Sequence, residues 1–330
     1  MRPEVLARTT APAPERVRTA GIAGLGAALP RTVVPNEDVA AGLGVDASWI
    51  ERRTGIRARR RADADDTVVS LAAHAGSEAL LWADVAAHEV DMVLVATFSA
   101  DQVIPNAAPQ VAYRLGANRA GASDVGAACA GFVSALGLGA GLIEAGRAEN
   151  VLVVGSEILS RIVDSGDRRT AGLFGDGAGA ALLAAGAAGR IGPMACGSDG
   201  SAAAFLHADH DERLIRMDGH ETFKRAVSAL GSCTREAVSR AHLEPGDIDL
   251  FVFHQANTRI LRAVRDDLGE PEDRVLDVIA RVGNTSAASI PLALVEASRS
   301  GLLRPGARVL LAAVGAGFAW GATVVEWGRA

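Results

Sequence analysis

ENVLVVGSE at residues 149–157 and ARVLLAAVG at 307–315 are near copies of one short segment. Each opens beside a polar residue, runs through an unbroken apolar stretch and reaches a glycine. A run this short, without polar alternation, reads as a strand buried on both faces, the pattern of a parallel sheet. The surroundings repeat as well. Before the first copy, a helical stretch at 68–83 leads through Glu89-Val90-Asp91 into MVLVATF at 92–98. Before the second, a helical stretch at 221–241 leads through Gly246-Asp247-Ile248-Asp249 into LFVFHQ at 250–255. After them, LFGDGAGAALLA at 173–184 is answered by GAGFAWGATVVEW at 315–327. Two tandem α/β units of βαβ type, joined near residue 190, explain these matches. The expected halves are 20–190 and 191–330, with 1–19 as an N-terminal extension.

The spacing predicts strands at Met92–Thr97, Val151–Val154, Leu250–Phe253 and Val309–Val314. It predicts helices at Val68–Ala83, Ala130–Glu144, Glu221–Ala241, Thr258–Leu268 and Ile290–Arg299. Among the 330 residues, 49% are hydrophobic but only 4% aromatic, so the core must be mainly Ala, Val, Leu and Ile. The net charge of −6 argues against a nucleic-acid partner. Lys224 is the only lysine, a bias that says little about mechanism. The apolar run near 171–188 is interrupted by Asp176 and five glycines, so no membrane span is expected there. Residues 1–19 lack the apolar stretch of a secretory signal and read as a mobile surface extension. Three cysteines without CxxC spacing give no disulfide framework, which fits a reducing cytoplasm.

Cys129 stands out. It lies in DVGAACAGF at 124–132, where a small-residue strand turns directly into an Ala/Gly-rich helix. A helix N-terminus stabilises an anion, so this position is expected to favour the nucleophilic thiolate. Small neighbours leave room for a substrate carbonyl. The structural alternative is an inert buried thiol, the reading given to Cys196 and Cys233. His254 opens HQAN at the end of an apolar strand, where catalytic groups of α/β sheets gather. Asn284 lies in VGNTSAAS at 282–289, a polar loop before a helix. Taken alone, His254 also fits a hydrogen-bonded core residue and Asn284 a cap or turn.

Together, ACAGF, HQAN and GNTSAAS, in this order, strongly resemble the Cys-His-Asn set of the β-ketoacyl-(acyl carrier protein) synthase III family. WIERRTGIRARR at 49–60, LFGDGAGA at 173–180 and GAGFAWG at 315–321 extend the resemblance over roughly residues 20–328. It implies a thiolase-like fold, two pseudo-duplicated halves in a layered αβαβα architecture. It also implies a decarboxylative Claisen condensation of an acyl-CoA starter with malonyl-acyl carrier protein, serving fatty-acid initiation or natural-product priming. Cys129 would carry the acyl group, and His254 and Asn284 would hydrogen-bond the malonyl thioester oxygen as the enolate forms. Backbone N–H groups of Cys129 and Ala316 would form the oxyanion hole; Ala316 stands where the family usually has glycine. By the same resemblance, Trp49, Arg53 and Arg168 would hold CoA, and Arg259 would dock the carrier protein. Without a ligand role, these would be a packed Trp and solvated Arg side chains. Ile104 occupies a position where several relatives have Phe, at the pocket floor or a dimer contact. A cytoplasmic homodimer without metal or redox cofactor is implied.

A second functional reading is an acyltransferase on the same fold, passing the acyl group to an alcohol or amine. The intact His254 and Asn284 favour condensation, because simple acyl transfer needs no enolate stabilisation. A non-catalytic paralogue fits the full residue set poorly. GLGAAL at 24–29 lacks the third glycine of a dinucleotide loop and reads as a first-strand turn. GDGAGA at 175–180 lacks the lysine of a phosphate loop and reads as tight backbone packing. His207, Asp209, His210, Asp211 and His220 match no zinc spacing and read as a polar loop.

Overall fold

The computed structural model describes residues 18–328. The expectation for residues 1–17 lies outside the described residues. The N-terminal half contains β1 (Ala20–Ala28), β2 (Thr32–Pro35), α1 (Asn36–Leu43), α2 (Ala47–Thr54) and β3 (Ala58–Arg61). It continues with α3 (Val68–Ala83), β4 (Met92–Ala96), α4 (Ala107–Leu115) and β5 (Gly121–Val125). It ends with α5 (Gly131–Glu144), β6 (Asn150–Glu157) and β7 (Gly177–Ala185). Five of its strands form one sheet in the order β1-β7-β6-β4-β5. β4 pairs in parallel with β5 and β6, whereas β7 runs antiparallel to β6 and β1.

The second half repeats this plan. It opens with β8 (Gly189–Ile191), β9 (Ala195–Ser198), β10 (Leu206–Ala208), β11 (Ile215–Met217) and α6 (Gly219–Arg240). There follow β12 (Leu250–Phe253), α7 (Thr258–Leu268) and α8 (Ile279–Val282). The chain closes with α9 (Ser289–Arg299), β13 (Arg308–Gly315) and β14 (Ala319–Trp327). β12 pairs in parallel with β13, and β14 runs antiparallel to β13, β8 and β9. A parallel bridge from Phe251 to Val275 stands where the first sheet has β5. We propose that the two halves are duplicated units meeting just before β8.

The layers follow from where the apolar residues lie. α3 and α4 cover the outer face of the first sheet, and α6 and α7 cover the outer face of the second. α5 and α9 fill the space between the sheets, where one cluster joins Phe132, Leu136 and Ile143 to residues of both sheets. The result is an αβαβα sandwich. Each fully buried Leu or Phe of the middle layer stabilises the fold by roughly 1.5–3 kcal/mol. Small residues dominate this layer because helices packed between two sheets must let both approach.

Two expectations need correction. GLGAAL is not a turn: Gly24 and Gly26 sit inside β1. A Cβ on Gly26 would come within 2.0 Å of the Ala75 carbonyl oxygen, so glycine is what lets β1 press against α3. Cys196 is exposed, not buried; only Cys233 is the core thiol expected. Among the described residues no helix is long and apolar enough to cross a membrane.

Candidate active site

Cys129, His254 and Asn284 come from three separate turns and line one cavity of about 740 Å³. Cys129 follows β5, in a 3₁₀ turn (Ala128–Ala130) that leads straight into α5. Ala128 holds a left-handed φ of 46°, unusual for a residue with a Cβ and a small store of strain. The turn is braced from the other half of the molecule. A Cβ on Gly315, at the end of β13, would lie 2.8 Å from the Cys129 nitrogen and 2.6 Å from the Ala127 oxygen. Glycine there permits the second sheet to approach the cysteine backbone. Ala316 lies beside Cys129 and Ala128 on a second, smaller cavity.

The thiol departs from expectation. Although a helix begins behind it, burial pushes the Cys129 thiol up to about 12. The Ser286 hydroxyl, donating to Sγ at 3.2 Å, opposes that shift, and the Glu157 carboxyl reinforces it. Enclosure by protein outweighs the helix terminus, so the resting site holds a thiol.

His254 follows β12 and is buried. Burial lowers its pKa to about 3, which keeps the imidazole neutral across the physiological range. Its Nδ1 lies 2.6 Å from Ser289 Oγ, which also accepts the Gln255 N–H at 3.3 Å. Asn284 is gripped through its backbone: its N–H donates to Leu173 and its carbonyl accepts from Gly175, both at 2.9 Å. The glycine segment 173–180 therefore positions Asn284. The Asn284 Oδ1 accepts the Ser286 N–H at 2.9 Å, and Nδ2 donates to the Ala256 carbonyl at 3.5 Å, which leaves its second N–H able to donate into the site. Ser286 is itself left-handed, with φ of 49°.

Trp49, Arg53, Arg168 and Arg259 line the same cavity. The Arg53 guanidinium sits 4.5 Å above the Trp49 ring, a cation–π contact that presents both at the rim. Arg168 is partly committed elsewhere, donating to the Leu43 carbonyl at 2.9 Å and the Gly44 carbonyl at 3.3 Å. Arg59, from the same Trp/Arg segment, is buried and donates to Asn36, Gly172 and Val34. Burial, with Arg61 nearby, lowers its pKa to about 10; it is a structural residue. Ile104 is 83% exposed and lines neither cavity of its own chain.

Three polar residues around the site were not singled out from sequence: Ser286, Ser289 and Glu157. The signal for Glu157 was a lone acid closing an otherwise apolar strand. Its Oε2 accepts from Thr97 Oγ1, the Phe98 and Ser99 N–H groups and Ser99 Oγ, while Oε1 is buried without a partner. Burial raises its pKa from 4.5 to about 7. A raised carboxyl stabilises the fold fully below pH 4.5, and that contribution is lost as pH rises through 7. Glu157→Gln is therefore expected to gain stability relative to the parent between pH 5 and pH 8, by about 1–3 kcal/mol. Urea melts of both proteins at the two pH values test the sign; a difference independent of pH contradicts it.

A cysteine at a strand-to-helix turn, faced by a neutral histidine and an asparagine amide on an αβαβα sandwich, defines a thiolase-fold condensing enzyme. Comparisons with known proteins agree. The model of 3-oxoacyl-[acyl-carrier-protein] synthase III matches residues 123–200, and that of its C-terminal region matches 238–327. The β-ketoacyl-[acyl-carrier-protein] synthase III of Bacillus pumilus is 42% identical over 311 residues, covering 94% of this chain and 99% of the relative. The Pseudomonas aeruginosa synthase III structure superposes with a TM-score of 0.91 at 42% identity, covering 94% and 99% of the two chains. The priming β-ketosynthase of the R1128 polyketide pathway superposes at 0.91 with 37% identity, covering 96% and 98%. The chain belongs to the β-ketoacyl-[acyl-carrier-protein] synthase III family, and it is an acyltransferase of the condensing type.

Proposed function

We propose that the protein condenses an acyl-CoA starter with malonyl-acyl carrier protein, through an acyl thioester on Cys129, to give a β-ketoacyl carrier protein. The observation that carries this reading is the convergence of Cys129, neutral His254 and Asn284 on one cavity. The Cys129 sulfur attacks the acyl-CoA carbonyl, the bond to CoA breaks, and the thiol proton leaves with CoA. The tetrahedral oxyanion is received by the Cys129 and Ala316 N–H groups.

Malonyl thioester then enters. Its C–C bond to the carboxylate breaks, CO2 departs, and the electron pair passes into the enolate. His254 is suited to the next task because it is neutral: a charged imidazolium would carry a second proton but burial disfavours it. The reaction calls for the tautomer with its proton on Nε2, in which the Ser289 hydroxyl, already accepting from the Gln255 N–H, donates to Nδ1. Nε2–H and the Asn284 amide together hold the enolate oxygen, and the carbanion attacks the acyl carbon. Cys129 leaves as thiolate and takes up a proton from solvent, replacing the one that left with CoA. This chemistry draws on side chains and backbone N–H groups and calls for no cofactor. Transfer of the acyl group to an alcohol or amine would leave the His254–Asn284 pair without a task.

Trp49 and Arg53 fit the adenine and phosphates of CoA, with Arg168 contributing less because the Leu43 and Gly44 carbonyls occupy it. Arg259 is proposed to dock the acidic carrier protein, supported by a neighbouring depression where Arg52, Arg57, Arg259 and Arg262 outnumber Glu51 and Asp277. Arg259→Glu is expected to raise the KM for malonyl carrier protein about tenfold at low salt, shrinking as salt screens the pair. A KM change indifferent to salt would contradict docking by charge. A cytoplasmic homodimer completes the reading; exposed Val103, Ile104 and Tyr113 supply an apolar face suited to a second copy.

A further inference from the structure

Two left-handed residues other than glycine bracket Cys129. Ala128, directly before it, has φ of 46°, and Ser286, whose hydroxyl touches its sulfur, has φ of 49°. The 3₁₀ turns that hold them, Ala128–Ala130 and Ser286–Ala288, pack against one another. A residue with a Cβ is costly in that backbone region, and such positions persist where neighbouring contacts fix them and gather at sites of chemistry. Ser286 is fixed at two points. Its N–H donates to Asn284 Oδ1 at 2.9 Å, and its hydroxyl donates to Cys129 Sγ at 3.2 Å. The residue is fully buried, and the sulfur is the hydroxyl's one hydrogen-bond partner among the described residues.

We propose that Ser286 is a further catalytic residue, whose hydroxyl holds the Cys129 sulfur while it carries negative charge in both half-reactions. This rests on the reading of Cys129 as the acyl carrier and adds a residue to the set that acts on it. The sulfur bears charge twice, as the thiolate that attacks acyl-CoA and as the leaving group when the carbanion takes the acyl carbon. The serine proton stays on Oγ throughout, so a hydrogen bond strengthens and no covalent bond to Ser286 forms or breaks. The surroundings create the need for such a donor. Enclosure disfavours the thiolate, and the Glu157 carboxyl at the end of β6 adds to that. His254, beyond the end of β12, is neutral and supplies no compensating charge. Besides the start of α5, only the Ser286 hydroxyl and the cysteine's own N–H act in the other direction. A hydrogen bond to a charged acceptor is stronger than one to a neutral acceptor, so Ser286 favours thiolate over thiol.

The test separates the hydroxyl from the backbone. Ser286→Ala removes Oγ and keeps the N–H that serves Asn284; Ser286→Gly does the same and also suits the left-handed φ. Acylation is read as CoA release and intact mass with acetyl-, isobutyryl- and hexanoyl-CoA. Both variants should lower kcat for acylation by about tenfold or more, with KM changed less than about twofold. Alkylation of Cys129 by iodoacetamide, located by peptide mass because Cys196 is exposed, should slow by about threefold. That effect is smaller because a thiolate freed of its hydrogen bond is also the better nucleophile. In the Asn284→Ala protein, Ser286→Ala should cost acylation the same factor again. Acylation or alkylation at the parent rate overturns the proposal, as does recovery in the glycine variant, which would trace the loss to backbone strain. An effect that vanishes in the Asn284→Ala protein also overturns it, since Ser286 would then act only through the asparagine. Absence of any adduct on the parent with all three thioesters overturns the acyl-carrier reading beneath it.

Discussion

Cys129→Ala is expected to remove the acyl adduct altogether and to lower condensation to background, a loss on the order of 10⁴-fold or more. The size of the effect follows from what remains. In the proposed reaction His254, Asn284 and the backbone N–H groups would still bind a malonyl thioester, but no atom would be left to hold the starter between the two half-reactions. Alanine fits the site without strain, because Cys129 sits among Ala127, Ala128 and Ala130. Its one side-chain partner, Ser286 Oγ, can turn to the cavity. The variant should therefore melt with the parent, which separates lost chemistry from lost structure. Intact mass after incubation with acyl-CoA reads the result. A covalent acyl group retained by the alanine protein would show that another residue carries it.

Asn284→Ala is expected to divide the two half-reactions. Acylation of Cys129 should persist within a few-fold, whereas decarboxylation of malonyl carrier protein should fall by about 10²–10³. In the proposed reaction the asparagine donates to an oxygen that gains charge only in the second step, and neutral His254 alone would not replace the lost hydrogen bond. The Asn284 backbone is clamped by Leu173 and Gly175 whatever its side chain, so the loop should keep its place. The Ser286 N–H loses its acceptor, and that accounts for the small effect allowed on acylation. Equal loss of both steps would assign Asn284 to holding the Cys129 turn instead of the enolate.

Much of this was legible in the residues. Val68–Ala83, Leu250–Phe253 and Thr258–Leu268 have the boundaries their patterns imply, because turn residues and apolar periods agree there. Of the residues proposed for the chemistry, Cys129 stood out at a strand-to-helix turn and His254 at the end of an apolar strand, whereas Asn284, in a polar loop, was joined to them only by the family resemblance. What stayed hidden depends on contacts distant in sequence. Ser286 touches Cys129 across 157 positions, and Ser289 orients His254 across 35. The thiol's resting state went the other way from expectation for the same reason: enclosure by both halves is a tertiary property, whereas a helix start is local. The β10–β11 hairpin read as a polar loop because its strands are three residues long, too short for alternation to show.

Intact mass of the protein mixed with acyl-CoA, and then with malonyl-acyl carrier protein, tests the proposed condensation most directly. An adduct on Cys129 that discharges into β-ketoacyl carrier protein, with release of CO2, is the expected result. An adduct that survives malonyl carrier protein yet discharges to an alcohol or amine would contradict it.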